Sequence, residues 1–154
     1  MKIHKLIEPE NVYLDLIATG VESALTAVAE AFAPTLGLAS PGVVESLLDR
    51  EGLGSTSVGD GFAIPHCKTH GLDTIAIALA RFADEVPFDR DGGDPVRFVF
   101  VVLSPPDQPA THLQVLSQIA RVLKRRDLRS ELLSASDADE VAQAICRAAE
   151  AEGL

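Results

Sequence analysis

Val96-Arg97-Phe98-Val99-Phe100-Val101-Val102-Leu103 ("VRFVFVVL") is nearly continuous apolar sequence, bounded by Pro95 on one side and Ser104-Pro105-Pro106 on the other. A strand exposed on one face would alternate apolar and polar residues. This one does not, so it reads as a central strand covered on both faces. Working outward, Ile75 to Phe82 alternates large and small residues. Ile75, Ile77 and Leu79 fall on one face, and Ala76, Ala78 and Ala80 on the other. The alanine face would let a helix approach the sheet closely. Val86 to Phe88 adds a short edge piece before an Asp91-Gly92-Gly93 turn. Val12 to Leu16 alternates as a first strand. Helices are expected between these strands. Val21 to Phe32 carries the stripe Leu25, Val28, Ala29, Phe32, and Pro34 disturbs its end. A second helix begins with Ser40 as N-cap and Pro41 at its first position, buries Val44, Leu47 and Leu48, and stops at Gly52. Thr111 and Gln114 form a capping-box pattern ahead of a helix with the stripe Leu113, Leu116, Ala120, Leu123. Asp127 to Leu133 and a Ser136-capped segment to about Ala149 complete the set, the last with Val141, Ala144, Ile145 and Ala148 inward. Strands interleaved with helices imply an α/β fold, a mixed β-sheet sandwiched between helices on both faces.

The 154 residues are expected to form a single domain, 1–154, with no internal repeat. Apolar residues make up 47% of the chain, which excludes a disordered polymer. The formal net charge of -10 argues against nucleic acid or an anionic membrane surface as the partner. Lys124-Arg125-Arg126, with Arg121 and Arg129 near, stands against that trend and reads as the solvated end of a helix, where cations suit the dipole. The apolar runs are too short to span a bilayer, and Met1 to Leu6 lacks the apolar core of a signal peptide. Two distant cysteines, Cys67 and Cys146, make no disulfide framework. A cytoplasmic protein is expected.

One segment carries candidate chemistry: Gly59-Asp60-Gly61-Phe62-Ala63-Ile64-Pro65-His66-Cys67-Lys68-Thr69-His70-Gly71. Three readings of His66 compete. It is a core residue, a metal ligand with Cys67 and His70, or a nucleophile beside an anion-holding loop. The metal set is incomplete, and adjacent residues of an extended segment point to opposite faces, so no metal and no cofactor is expected. Gly59 and Gly61 can bring backbone amides close to an anion, and Ser55, Thr56 and Ser57 offer hydroxyls. His112 sits in the first turn of a helix, where free amides and the dipole favour an anion. Arg50 lies at the edge of the buried stripe of its helix, and by spacing alone reads as a snorkelling side chain. A neutral histidine with a pKa near ~6.5 is a competent nucleophile, and phosphoryl transfer asks mainly for positioning and charge stabilisation.

"DREGLGSTSVGDGFAIPH", Asp49 to His66, and "PPDQPATHLQVLSQIARVL", Pro105 to Leu123, resemble the two halves of the site in the fructose/mannitol-type enzyme IIA domain of the bacterial phosphoenolpyruvate-dependent phosphotransferase system. Within that family the chain is most similar to nitrogen-regulatory IIA proteins. The resemblance covers the whole chain in element order and implies a mixed sheet sandwiched by helices. It implies that His66 accepts phosphate from a histidine phosphocarrier protein, that His112 is the second site histidine, and that Arg50 lies near the phosphate. Ser55 and Thr56 match the polar pair of the loop, with Gly59 and Gly61 in the same segment. Regulatory targets such as transporters or sensor kinases are the implied further partners, with no membrane insertion. Alternatives are a stand-alone IIA component serving a separate sugar permease, and a binding module that signals without phosphate. Cys67 departs from the family pattern, where a small residue, typically glycine, follows the active histidine. A thiol there adds redox sensitivity only if its pKa is low.

Overall fold

A computed structural model of the chain describes residues 2–89 and 92–154; Arg90 and Asp91, and with Asp91 the start of the expected turn, lie outside the described residues. Among these described residues six strands form one mixed sheet: β1 (Val12–Leu16), β2 (Ser57–Gly59), β3 (Phe62–Ala63), β4 (His66–Lys68), β5 (Ala76–Val86) and β6 (Val96–Ser104). Their order is β1-β5-β6-β3-β2, and β4 also pairs with β6. Among the described residues five α-helices cover the sheet: α1 (Val21–Phe32), α2 (Ser40–Glu51), α3 (Pro109–Leu123), α4 (Leu128–Ser134) and α5 (Ala138–Ala151).

The apolar run of β6 is central. It pairs antiparallel with β5 and parallel with β3 and β4. Its side chains divide between two buried layers. Phe98, Phe100 and Val102 join Ile75, Ile77 and Leu79 beneath α3, α4 and α5. Val99, Val101 and Leu103 join Ala78, Ala80 and Phe82 beneath α1 and α2. The large–small alternation of β5 thus sorts the two layers, and the alanine face meets the helices as its size predicts. Phe98 and Phe100 are each about 1% exposed, and each such ring contributes roughly 1.5–3 kcal/mol by leaving water.

β3 and β4 lie end to end along one side of β6. Phe62 is opposite Phe98 and His66 is opposite Val102. Between them Pro65 has no N–H for the ladder. Its carbonyl still accepts from Val102 N at 2.9 Å, which keeps the chain on track and delivers His66 near the C-terminal end of β6.

Several local expectations are corrected. The stretch before Gly61 is not all loop: Ser57–Gly59 pairs with β3 as a hairpin. Val86 continues β5 rather than starting a new edge piece. α2 includes Ser40, and its N-cap is Ala39, with no side-chain cap. The Thr111 capping box does not form, because α3 starts earlier, at Pro109, with Gln108 at the N-cap. Proline suits that first position, where its missing N–H costs nothing. The buried residues of α3 are His112, Val115, Ile119, Val122 and Leu123; of the expected stripe, Leu116 and Ala120 are partly buried against the same core, while Leu113 is exposed. α5 is capped by Asp137, whose Oδ1 accepts from Glu140 N at 2.8 Å, and Glu140 reaches back to Ser136 N.

Candidate functional site

Two chain segments converge at the C-terminal end of β6. One is the Pro65-His66 step into β4. The other is the first turn of α3, which follows β6 after the short connection 105–108. The rings of His66 and His112 meet there with centroids 5.4 Å apart and planes tilted by 56°. Arg50, in the last turn of α2, reaches the pair from the other layer.

Both nitrogens of His66 are engaged. Nδ1 lies 2.6 Å from the carbonyl oxygen of Ile64. A carbonyl only accepts, so Nδ1 carries the proton. Nε2 therefore holds a lone pair, and Arg50 Nε donates to it at 3.3 Å. The half-buried ring has its pKa lowered from the ordinary 6.5, first by burial and also by the Arg50 charge. The Ile64 bond and the Glu51 charge pull the other way. The ring is thus held neutral, in one tautomer, with its nucleophilic atom facing a permanent cation.

His112 is buried, and its Nδ1 lies 2.5 Å from Ser104 Oγ, itself fully buried. When the serine hydroxyl donates, the His112 proton sits on Nε2, which can then donate to an anion. Burial lowers the pKa of His112, helped by His66 and by the charge of Lys68. Lys68 is exposed on β4, two residues from His66. On a chain of net charge -10, the site therefore collects two cations, Arg50 and Lys68.

The loop leaving α2 separates the four remaining candidates. Arg50 Nη1 donates to Gly54 O at 2.9 Å, which draws the loop to the site. Ser55 is exposed; its Oγ accepts from Ser57 N at 3.1 Å, leaving the hydroxyl hydrogen for another acceptor. Thr56 is buried and its donors go to Glu51. Its N donates to Glu51 Oε2 at 3.2 Å and its hydroxyl bonds Glu51 Oε1.

Gly59 and Gly61 are not brought to the histidines. They flank the tip of the β2–β3 hairpin, where Asp60 and Gly61 have φ of 55° and 82°. Two successive positive values at an Asp-Gly pair mark a tight hairpin turn. Gly61 O accepts from Arg97 N and Phe98 N. His66 lies level with Val102, four strand positions further on, or about 13 Å at ~3.3 Å per residue. A Cβ on Gly61 would stand 3.3 Å from Arg129 Nε. The Asp-Gly dipeptide between two extended segments was the legible signal for this turn.

Cys67 points into the α1/α2 layer, and its Sγ lies 3.4 Å from Thr69 Oγ1. Burial pushes its thiol up, against the low pKa a redox role requires. His70 is exposed. Among the described residues no cluster of three or more His, Cys, Asp or Glu side chains is arranged for a metal ion. Residues that spacing did not reveal are Glu51, Ser104, Gly54 and Lys68. Two large apolar side chains stand exposed beside the site: Leu53 in the loop after Arg50, 85% exposed, and Leu113 next to His112, 66% exposed.

The chain is similar to known proteins in sequence and fold. A family model described as "Phosphoenolpyruvate-dependent sugar phosphotransferase system, EIIA 2" matches residues 5–148. A "Nitrogen regulatory protein" of Bradyrhizobium diazoefficiens is 37% identical over 141 residues, which cover 92% of each chain. A "PTS system fructose-specific EIIA component" of Haloferax volcanii is 36% identical over 107 residues, 70% of each chain. Among solved structures, the nitrogen regulatory protein IIA-Ntr from Neisseria meningitidis superposes with a TM-score of 0.85 at 30% identity, covering 93% of this chain and 98% of that one.

Proposed function

The chain belongs to the EIIA 2 family of the phosphoenolpyruvate-dependent sugar phosphotransferase system, and from that membership we propose that it accepts a phosphoryl group on His66 Nε2 from a histidine phosphocarrier protein. It acts mainly as a regulatory, nitrogen-related IIA protein. The observation that carries this reading is the state of His66: Nδ1 is held protonated by Ile64 O, and the Nε2 lone pair faces Arg50.

The transfer balances without a net proton movement. The His66 Nε2 lone pair forms a bond to the phosphorus of the donor's phosphohistidine. The donor's N–P bond breaks, and its electron pair returns to the donor ring nitrogen. Each ring keeps the proton on its other nitrogen throughout, so a ring is a neutral imidazole without the phosphoryl group and formally an imidazolium while it carries it. Three groups can stabilise the charge spread over the phosphoryl oxygens: the Arg50 guanidinium, Nε2–H of His112 and the Ser55 hydroxyl. Lys68 adds a long-range attraction. Leu53 and Leu113 supply the apolar contacts that a docking protein would cover.

Phosphorylation places about two negative charges on phosphoryl oxygens at His66, which alters the face available to a second partner. That is how a carrier of this kind signals to a transporter or sensor kinase. No described helix is long and apolar enough to cross a membrane, in keeping with a cytoplasmic carrier. The relationship to the Haloferax volcanii fructose-specific component favours a second reading, in which the same phosphoryl group passes to a separate sugar permease.

Intact-mass measurement at neutral or alkaline pH, after incubation with phosphoenolpyruvate and the two upstream phosphotransferase proteins, tests the proposal. One phosphoryl adduct is expected, and none on His66→Ala. An adduct retained on that variant, or no adduct on the wild type with active upstream proteins, removes His66 from the acceptor role.

A further inference from the structure

We propose that Glu51 is a positioning residue for phosphoryl acceptance, acting through Thr56 on both nitrogens of the His66 ring. The inference rests on the reading of His66 as the acceptor. Glu51 ends α2, immediately after Arg50. Its two carboxylate oxygens are divided between the two donors of Thr56, the backbone N and the hydroxyl. Thr56 is buried, whereas Gly52 to Ser55 are exposed. The pair thus ties an otherwise open loop back to the helix that carries Arg50.

Two routes run from Thr56 to the histidine. On the Nδ1 side, Thr56 O accepts from Ile64 N at 3.0 Å, and Ile64 O accepts the Nδ1 proton at 2.6 Å. A shift of Thr56 moves Ile64, and with it the acceptor that fixes the tautomer. On the Nε2 side, the anchored loop presents Gly54 O to Arg50 Nη1 at 2.9 Å. The guanidinium is a rigid plane, so holding Nη1 also aims Nε at His66 Nε2. The occupation of both Glu51 oxygens has a second consequence. Among the described residues no ion pair joins Glu51 to the adjacent Arg50. The guanidinium is left for the site.

Glu51→Ala removes the tie whole, Thr56→Val removes its hydroxyl half and leaves the backbone N–H, and Thr56→Ser keeps both. Two readouts test them. The first is long-range proton–nitrogen NMR of the imidazoles, which needs no phosphate. The wild type should show a protonated Nδ1 on His66. Glu51→Ala and Thr56→Val should show mixed tautomers, and Thr56→Ser the wild-type pattern. The second is the rate of transfer from the phosphorylated phosphocarrier. Each disrupting variant should slow it about tenfold, as displaced supporting groups do. The double variant should be no slower than Glu51→Ala alone, because that change already removes the link Thr56→Val weakens. A lowered melting temperature with an unchanged tautomer would overturn the proposal, and so would additive losses in the double variant. If Glu51→Ala does not fold, Thr56→Val decides alone. A wild type that shows the expected tautomer yet takes no phosphate would sink the acceptor reading. The tautomers of the variants would still decide the role of Glu51 in setting the ring.

Discussion

The loop Gly52 to Thr56 and the turn Gly59 to Gly61 look alike as sequence. Each holds two glycines beside short polar residues, and only a few positions separate them. The fold uses them at opposite ends of one hairpin. The first lies at its open end, where Thr56 O bonds Ile64 N and Arg50 holds Gly54 O beside the histidines. The second is its closed tip, under Arg129, with Gly61 O capping the start of β6. Glycine marks a place where the backbone takes an unusual angle or passes close to a neighbour. Whether an anion benefits depends on what else arrives there. At the open end two histidines and an arginine arrive; at the tip, Arg129 is already occupied by Asp60 O at 2.9 Å and Glu85 at 3.7 Å.

The contrast can be broken by measuring transfer rate and stability for matched substitutions. Arg50→Ala at the open end should lower the transfer rate about a hundredfold, the usual cost of losing one donor aimed at developing charge. His112→Ala should lower it about tenfold while His66 still takes the phosphate. Stopped-flow or quenched transfer kinetics would read both, and wild-type rates in either variant would separate that residue from the phosphate.

The pH dependence sharpens the same point. His66 and His112 titrate below 6.5 because burial disfavours their charged forms. In the unfolded chain they protonate at about 6.5. The folded state should therefore lose stability as pH falls below about 6.5, until the folded pKa values are passed. The acceptor lone pair should likewise survive below 6.5. NMR titration of the two rings checks this, and a midpoint at or above 6.5 for His66 would contradict it.

Gly61→Ala at the closed tip should have the smallest effect on transfer, within about twofold of wild type. Its cost falls on stability instead, about 1–2 kcal/mol for a side chain at φ of 82°. Calorimetry and the transfer assay together check that split. A collapse of transfer with stability intact would return the tip to the phosphate site.

Much of the fold was legible because it follows from local chemistry. Val12–Leu16 and Val21–Phe32 are read with the bounds the structure has. The β6 run announced burial on both faces, and the β5 alternation announced two layers of different depth. In α3 the expected Leu116, Ala120 and Leu123 do pack against the core, but Leu113 does not; packing against the sheet turned His112 inward in its place.

The sequence by itself determined the α/β class, the family through its motif segments, and His66, His112 and Arg50 as candidates. Those follow from side-chain size, alternation and residue order, which local physics can read. Only the tertiary structure decided which nitrogen of His66 is free, because that depends on Ile64 O and Arg50 Nε meeting the ring from two sides. It alone sent Gly59 and Gly61 to the far end of a hairpin and paired Ser104 with His112. It also tied Thr56 to Glu51. Hydrogen-bond partners are set by sheet register and helix docking, and a register is fixed by the whole buried pattern rather than by neighbours in the chain.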